Sequence, residues 1–497
     1  MDVRGLFLQM TCNRLLLLFV LLISSGCAVH AQEPPYFVTY SDAMEEPGNL
    51  EISYKGINAA PKNANSFNSA TVEFEYGLKG WWTTEVYLAG QTTQNDSTIF
   101  TGYRWENRFR PLLRNHFINP VLYAEYENIN KADRSFLEVM GHDSIADLYL
   151  SNAQARPELE RSMELKLILS SNTHGWNISE NFITEKALNG SEPWEFGYAL
   201  AVSRSLALSA GRKGCFFCRE NFTAGLELYG GLGTTDSFGW KQTSQYLAPN
   251  IQFNIPKGPS IGFEPGFGLN ANSVGVLWRF KVSYEIRTDF WAVGEEVAMT
   301  GRLYGDWLDG LRARDKFKKE GARRPVRKSP PFAGNKSAKG GAPSNTFVGR
   351  RWIAGPGNRW TGILAVLLVG MVCVAADGGW LKHVPDADRK RVNPLAGQAD
   401  AIAGGGRVFE DHCAKCHGED ALGRGKRPSL RSDRVQHATD GEIFWLLKNG
   451  NLGKGMPTWA ALPEPMRWQV IAYVKSLGPV SSGTTGETGK STDEVKP

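Results

Sequence analysis

No cysteine framework runs through this chain. The seven cysteines are Cys12, Cys27, Cys215, Cys218, Cys373, Cys413 and Cys416. Two lie in or beside an N-terminal apolar leader, one in a second apolar run, and four form two CxxC pairs, so a small disulfide-stapled scaffold is excluded. Between residues 32 and 288 no Ser-His-Asp set, phosphate-cradling glycine loop or metal-binding histidine cluster stands out, which leaves that region without recognisable catalytic machinery. Charge is nearly balanced: a net +5 over 497 residues, concentrated in one segment, is no electrostatic footprint for nucleic acid. This length exceeds one domain and suggests three or four segments.

What is present centres on Cys413-Ala414-Lys415-Cys416-His417. Two thiols separated by two residues can add to the vinyl groups of one haem, while the histidine that follows reaches its iron. A zinc site would want a second ligand pair, and no cysteine follows Cys416. A redox dithiol would want a βαβ setting, which the flanking helices and loops do not offer. The motif therefore reads as a c-type haem attachment site.

The flanking residues 398–478 resemble a class I cytochrome c domain of the small monohaem bacterial type. Gly405, Val408 and Phe409 stand eight, five and four residues before Cys413, as in the family's first helix. Gly423-Arg424-Gly425 and Pro428-Ser429-Leu430 look like the loop on the proximal side of the haem. Gly455-Met456-Pro457 resembles the loop carrying the distal methionine. The resemblance implies one covalent haem c on Cys413 and Cys416, axial ligands His417 and Met456, and a Pro428 carbonyl that orients the imidazole. Met466 is the weaker candidate ligand because it opens the closing helix, and His412 and His437 read as surface residues. Asp440 to Leu447 reads as a short helix capped by Thr439 or Asp440 and ended by Gly450, and Pro465 to Leu477 as an amphipathic helix crossing the first near Gly405 and Phe409.

With both axial positions filled by protein, such a haem passes single electrons and does not activate substrate, so the expected role is an electron carrier and not an enzyme. Expected partners are redox proteins of a respiratory or dehydrogenase chain. The resemblance also implies a haem buried among Phe409, Trp445 and Trp459. Lys415, Arg424, Lys426 and Arg427 belong to a basic surface that either steers docking onto an acidic partner or is simply solvated.

Residues 1–31 read as a secretory signal, with Arg4 and Arg14 before the apolar stretch from Leu15 to Ile23 and Val29-His30-Ala31 as the cleavage site. Lipidation at Cys27 is the minority alternative. Over residues 32–288 the pattern turns to period two. Val72, Phe74 and Tyr76 alternate with Glu73 and Glu75, and Met163, Leu165 and Leu167 with Glu164 and Lys166. These hairpins resemble outer-membrane β-barrels, closing on a strand from Val276 to Ile286, with glutamates facing a polar interior and apolar side chains facing lipid. A soluble sandwich or lipocalin-like barrel is the alternative. Cys215 and Cys218 lack a following histidine and read as a turn-closing disulfide.

Residues 289–350 form a basic, then Pro- and Gly-rich linker. Residues 353–376 read as a transmembrane helix or an internal signal, with Val374-Ala375-Ala376 as a cleavage site. Residues 479–497 read as a tail. A single span between an exported barrel and the cytochrome would leave the latter in the cytoplasm, so the expectation is two separately exported products, against a barrel with a tethered cytochrome. The fold expected is thus multi-domain: an N-terminal antiparallel barrel, a linker and one hydrophobic helix, and a C-terminal all-α cytochrome domain in the cell envelope. Two functions follow: electron transfer by haem c, or a barrel for transport or binding that carries a tethered cytochrome.

Overall fold

The computed structural model describes residues 34–134, 150–287 and 380–479, apart from 63, 257 and 426. The expected leader over 1–31, the linker, the apolar segment over 353–376 and nearly all of the tail lie outside the described residues. No helix among the described residues is long and apolar enough to cross a membrane.

Twelve antiparallel strands among the described residues, from β1 (Asn49–Ala59) to β12 (Val276–Arg287), pair in sequence order and close into a barrel. Closure joins β1 to β12 from Asn49↔Arg287 to Ala59↔Leu277. Pairing successive hairpins satisfies every ladder except at the two outer edges, and the joining of first to last removes those.

Strand alternation is inverted relative to a soluble protein. In Phe67–Lys79, Ser69, Thr71, Glu73 and Glu75 are buried while Phe74 on the other face is exposed. In Trp82–Thr93, Glu85 and Tyr87 are buried and Val86 and Leu88 exposed. Trp105 and Phe182 stand 53% exposed on the outer surface. The glutamates thus point inward and the large apolar side chains outward, as the alternation predicts.

Charges taken into the interior need partners, since an isolated buried ion costs several kcal/mol or more. They find them along a strand and across to its neighbour: Arg108 Nε lies 2.8 Å from Glu106 Oε1 and Lys166 Nζ 2.7 Å from Glu164 Oε1, each pair on one strand, and Lys55 Nζ of β1 lies 2.9 Å from Glu73 Oε1 of the next strand.

The segment before β1 runs inside this barrel. Backbone N–H groups of Phe37, Val38 and Thr39 donate to the Glu227 carboxylate at 2.6, 3.1 and 2.7 Å. Tyr40 exchanges two hydrogen bonds with the Asn181 amide, at 2.7 and 2.9 Å, and its hydroxyl donates to Glu106 at 3.0 Å. Arg110 holds Asp42, donating to its carbonyl at 2.9 Å and facing its carboxylate at 3.1 Å. An extended chain without regular structure leaves its backbone groups unpaired. The lumen's polar side chains take those bonds, so residues 34–48 occupy the interior.

The C-terminal helices form a second core. The principal ones are α1 (Ala399–His412), α2 (Ala414–His417), α3 (Asp440–Asn449) and α4 (Glu464–Ser476). α1 and α4 cross at Gly405, where an added Cβ would sit 1.9 Å from the Gln469 carbonyl oxygen. Only glycine permits that approach. Val408, Phe409, Phe444, Trp468 and Ile471 fill the core around the crossing, with the Phe444 and Trp468 rings stacked 4.1 Å apart. Thr439 and Glu442 make a reciprocal capping box at the start of α3, and Gly450 ends it at φ 67°.

Candidate haem-attachment site

α1 delivers the attachment motif. It ends at His412, Cys413 is its C-cap, and the single turn of α2 carries Lys415, Cys416 and His417. Cys413 and Cys416 are free thiols. Burial pushes the Cys413 thiol up to about 12, with the neighbouring Cys416, Glu46 and Asp411 acting in the same direction, so it is held protonated.

The loop after α2 folds back under His417. Gly423 N–H donates to the His417 carbonyl at 2.8 Å and Leu430 N–H to Ala421 at 2.9 Å. Gly423 sits at φ +90°, and a Cβ there would be 2.5 Å from the Arg427 carbonyl. This places the Pro428 carbonyl 2.9 Å from His417 Nδ1. A carbonyl only accepts, so Nδ1 carries the hydrogen and Nε2 keeps its lone pair. Burial holds the imidazole below its ordinary pKa, outweighing the opposing pull of the Pro428 hydrogen bond, so the neutral form that binds metal is favoured.

Met456 lies on a separate loop that packs against the same apolar cluster as Cys413. Its loop is tied into a small bridge, with Met456 N–H donating to Asn451 at 3.1 Å and Asn451 N–H to Met456 at 2.8 Å. Trp459 N–H anchors the loop to Leu447 of α3 at 2.8 Å. The two loops are linked directly, because Arg427 Nη1 donates to the Lys454 carbonyl at 2.9 Å. Met456 and Cys413 are half-buried and pack against one apolar cluster that includes Phe409 and Trp459.

Two thiols for the ring edge, a neutral oriented imidazole and a thioether against an apolar wall form a donor set that fits a haem c. Met466, the weaker candidate, is a core residue of α4, only 4% exposed. His437 is exposed as expected. His412 is not a plain surface residue: it is half-buried, with its ring 5.5 Å from that of Trp459. Trp445 is buried as well, 9% exposed. It lies outside the cluster that holds Phe409 and Trp459, and the Arg114 guanidinium stands 5.7 Å from its ring. Phe444 and Leu447 of α3 join that cluster instead.

Lys415, read as part of a basic surface, is instead buried. Its Nζ lies 2.8 Å from Glu285 Oε2. Burial draws its pKa down, but Glu285, Glu46 and Glu45 more than offset this and hold it above the ordinary lysine value. Sequence reasoning missed Glu46 and Glu285 because neither neighbours the motif along the chain. Cys215 and Cys218 form a disulfide in the connection after Ser205, as their spacing suggested.

Residues 400–474 match the family model described as cytochrome C oxidase, cbb3-type, subunit III. A curated relative, the cbb3-type cytochrome c oxidase subunit CcoP of Rubrivivax gelatinosus, is 37% identical over 86 residues, 17% of this chain and 28% of that protein. The chain therefore matches less than a third of that relative's length. Similar solved structures include the KdgM porin, 10% identical, covering 47% of this chain and 98% of that one at a TM-score of 0.28. An outer membrane channel from Pseudomonas putida F1 is 11% identical, covering 49% of this chain and 96% of its own at a TM-score of 0.32. The NanC porin is 13% identical, covering 48% of this chain and 100% of its own at a TM-score of 0.30. Residues 400–474 thus form a cytochrome c domain similar to that of cbb3-type oxidase subunit III, carried in one chain with a twelve-stranded barrel.

Proposed function

We propose that the C-terminal domain carries one covalent haem c and passes single electrons in the cell envelope, beside a barrel that stands in the outer membrane. Cys413 and Cys416 would hold the ring, and His417 and Met456 would bind its iron. The observation that carries this reading is the Pro428 hydrogen bond to His417 Nδ1, which leaves Nε2 free in a neutral, fixed ring directly after the two free thiols.

When bound, the haem supplies the one-electron couple. The chain's own residues set its conditions. Pro428 fixes the tautomer and orientation of His417. Met456, a neutral thioether, favours the ferrous state over what a second imidazole would give, and the apolar wall of Phe409 and Trp459 acts in the same direction. If His417 and Met456 both bound the iron, no position would be left for substrate, and the domain would act as a carrier. The curated relative is a subunit of a cytochrome c oxidase, and a respiratory redox protein is accordingly the partner class we infer here.

The barrel's outward belt of large apolar side chains supports the membrane reading. Soluble monomers rarely expose continuous apolar patches beyond a few hundred Å². Strands of 9 to 15 residues have the length needed to cross a bilayer at a tilt. Transport through the barrel is the second reading, and the lumen weighs against it, because residues 34–48 and ion-paired side chains already occupy it.

A reduced-minus-oxidised spectrum and a haem-stained gel of the exported protein test the proposal. A haem band at full length supports a barrel with a tethered cytochrome, and one near the size of the C-terminal third supports two products. Met456→Ala should abolish the sulfur-to-iron absorption band and lower the potential while leaving the haem covalently attached; an unchanged spectrum would remove Met456 from the ligand set.

A further inference from the structure

Antiparallel alternation places the connections at 79–82, 109–119, 173–176 and 205–222 at the same end of the barrel as Asn49 and Arg287. The cytochrome domain meets that end. Gln469 of α4 clamps Ala210, accepting from its N–H and donating to its carbonyl, both at 2.9 Å. Arg407 of α1 pairs with Glu220 and donates to the Gly211 carbonyl at 2.9 Å. A further contact lies at the attachment motif itself. Lys415 and Glu285 are 8% and 6% exposed as a pair.

Beside them, Cys416 Sγ lies 3.4 Å from Glu46 Oε2. On the side of the other ligand loop, a Cβ at Gly455, next to Met456, would come within 3.2 Å of the Pro47 ring. Glu46 and Pro47 are consecutive residues of the segment that leads out of the lumen. One dipeptide of the barrel therefore lies beside both Cys416 and the loop that carries Met456.

We propose that Glu46 and Pro47 close the outer edge of the haem crevice, so that the barrel contributes a wall to the haem site of the cytochrome domain. This rests on the reading that Cys413, Cys416, His417 and Met456 hold the haem. Once Cys416 is a thioether it would have no hydrogen to donate, and the Glu46 carboxylate, 9% exposed and 3.4 Å from that sulfur, would lie beside the attached group. A negative charge held close in a poorly solvated setting favours the ferric state. Glu46 is then a positioning and tuning residue.

The test is a potentiometric titration of the haem-loaded full chain. Glu46→Gln should shift the ferric-to-ferrous equilibrium about tenfold toward ferrous, roughly 59 mV upward for one electron. Asp236→Asn, exposed at the far end of the barrel, should leave the midpoint unchanged. A second measurement keeps every contact residue native: a protease site inserted between residues 300 and 345 is cut, and the haem-bearing fragment is followed by chromatography in detergent at low salt. Retention of that fragment with the barrel supports the inference. Haem-loaded protein with an unchanged midpoint in Glu46→Gln, or a cut fragment that leaves the barrel, overturns it. A colourless protein instead sinks the haem reading beneath it.

Discussion

The barrel and the cytochrome domain solve burial in opposite ways. In the cytochrome, Phe409, Phe444, Trp468 and Ile471 are inside. In the barrel, Glu73, Glu85, Glu106 and Arg108 are inside while Leu88, Trp105 and Phe182 face out. Hydrophobic collapse in water explains the first. The second is stable only where the outside is itself apolar, and its interior is held by hydrogen bonds and ion pairs such as those of Arg108 and Lys166. The difference teaches that burial alone does not identify a core; the sign of the alternation tells which solvent each module was built for.

That contrast can be broken at chosen residues. The largest effect is expected at Phe409, 1% exposed, where Phe409→Ala should cost the cytochrome about 3–5 kcal/mol. A thermal melt followed through the haem absorbance would read it, and a loss below about 1 kcal/mol would mean that the α1 and α4 crossing is not the core. Next comes Phe182 on the outer barrel surface. Phe182→Lys should destabilise the barrel in a bilayer by roughly 2–4 kcal/mol if it sits near the midplane, falling toward zero near an interface. Urea unfolding in lipid vesicles measures this, and a neutral result at Phe182, Trp105 and Leu88 alike would argue for a barrel surrounded by water. The smallest effect is expected at the cap of α3: Thr439→Ala removes the bond from Thr439 Oγ1 to Glu442 N–H and should cost about 1 kcal/mol. Circular dichroism of the haem-loaded protein would show it, with the barrel signal unchanged.

Much of this was legible in the sequence where the cause is local. The motif from Cys413 to His417 needs only its own spacing, and Gly405, Thr439 and Gly450 announce a helix crossing, a cap and a stop. The alternation of Glu73, Phe74 and Glu75 foretold the inverted strands. Strand number was not legible, since it depends on which hairpins pair across Asn49↔Arg287. Residues 34–48 gave no sign of entering the lumen because an extended segment has no period of its own; its partners Glu227 and Asn181 are more than 140 residues away. Lys415 looked like a solvated charge for the same reason, its partner Glu285 lying 130 residues back.

The shared end of the two modules also bears on how the chain is used. Gln469, Arg407 and Lys415 bind the same barrel end from which β12 departs. An assembly of barrel and cytochrome therefore needs no partition between them, whether they reach the envelope joined or as two products.

The most direct measurement is a mass determination of the peptide spanning Cys413 to His417, from chain exported by a host with working cytochrome maturation. The account predicts that this peptide carries the added mass of one haem, and that Cys413→Ala/Cys416→Ala abolishes it without disturbing the barrel. An unmodified peptide with two free thiols from a properly exported chain would contradict it.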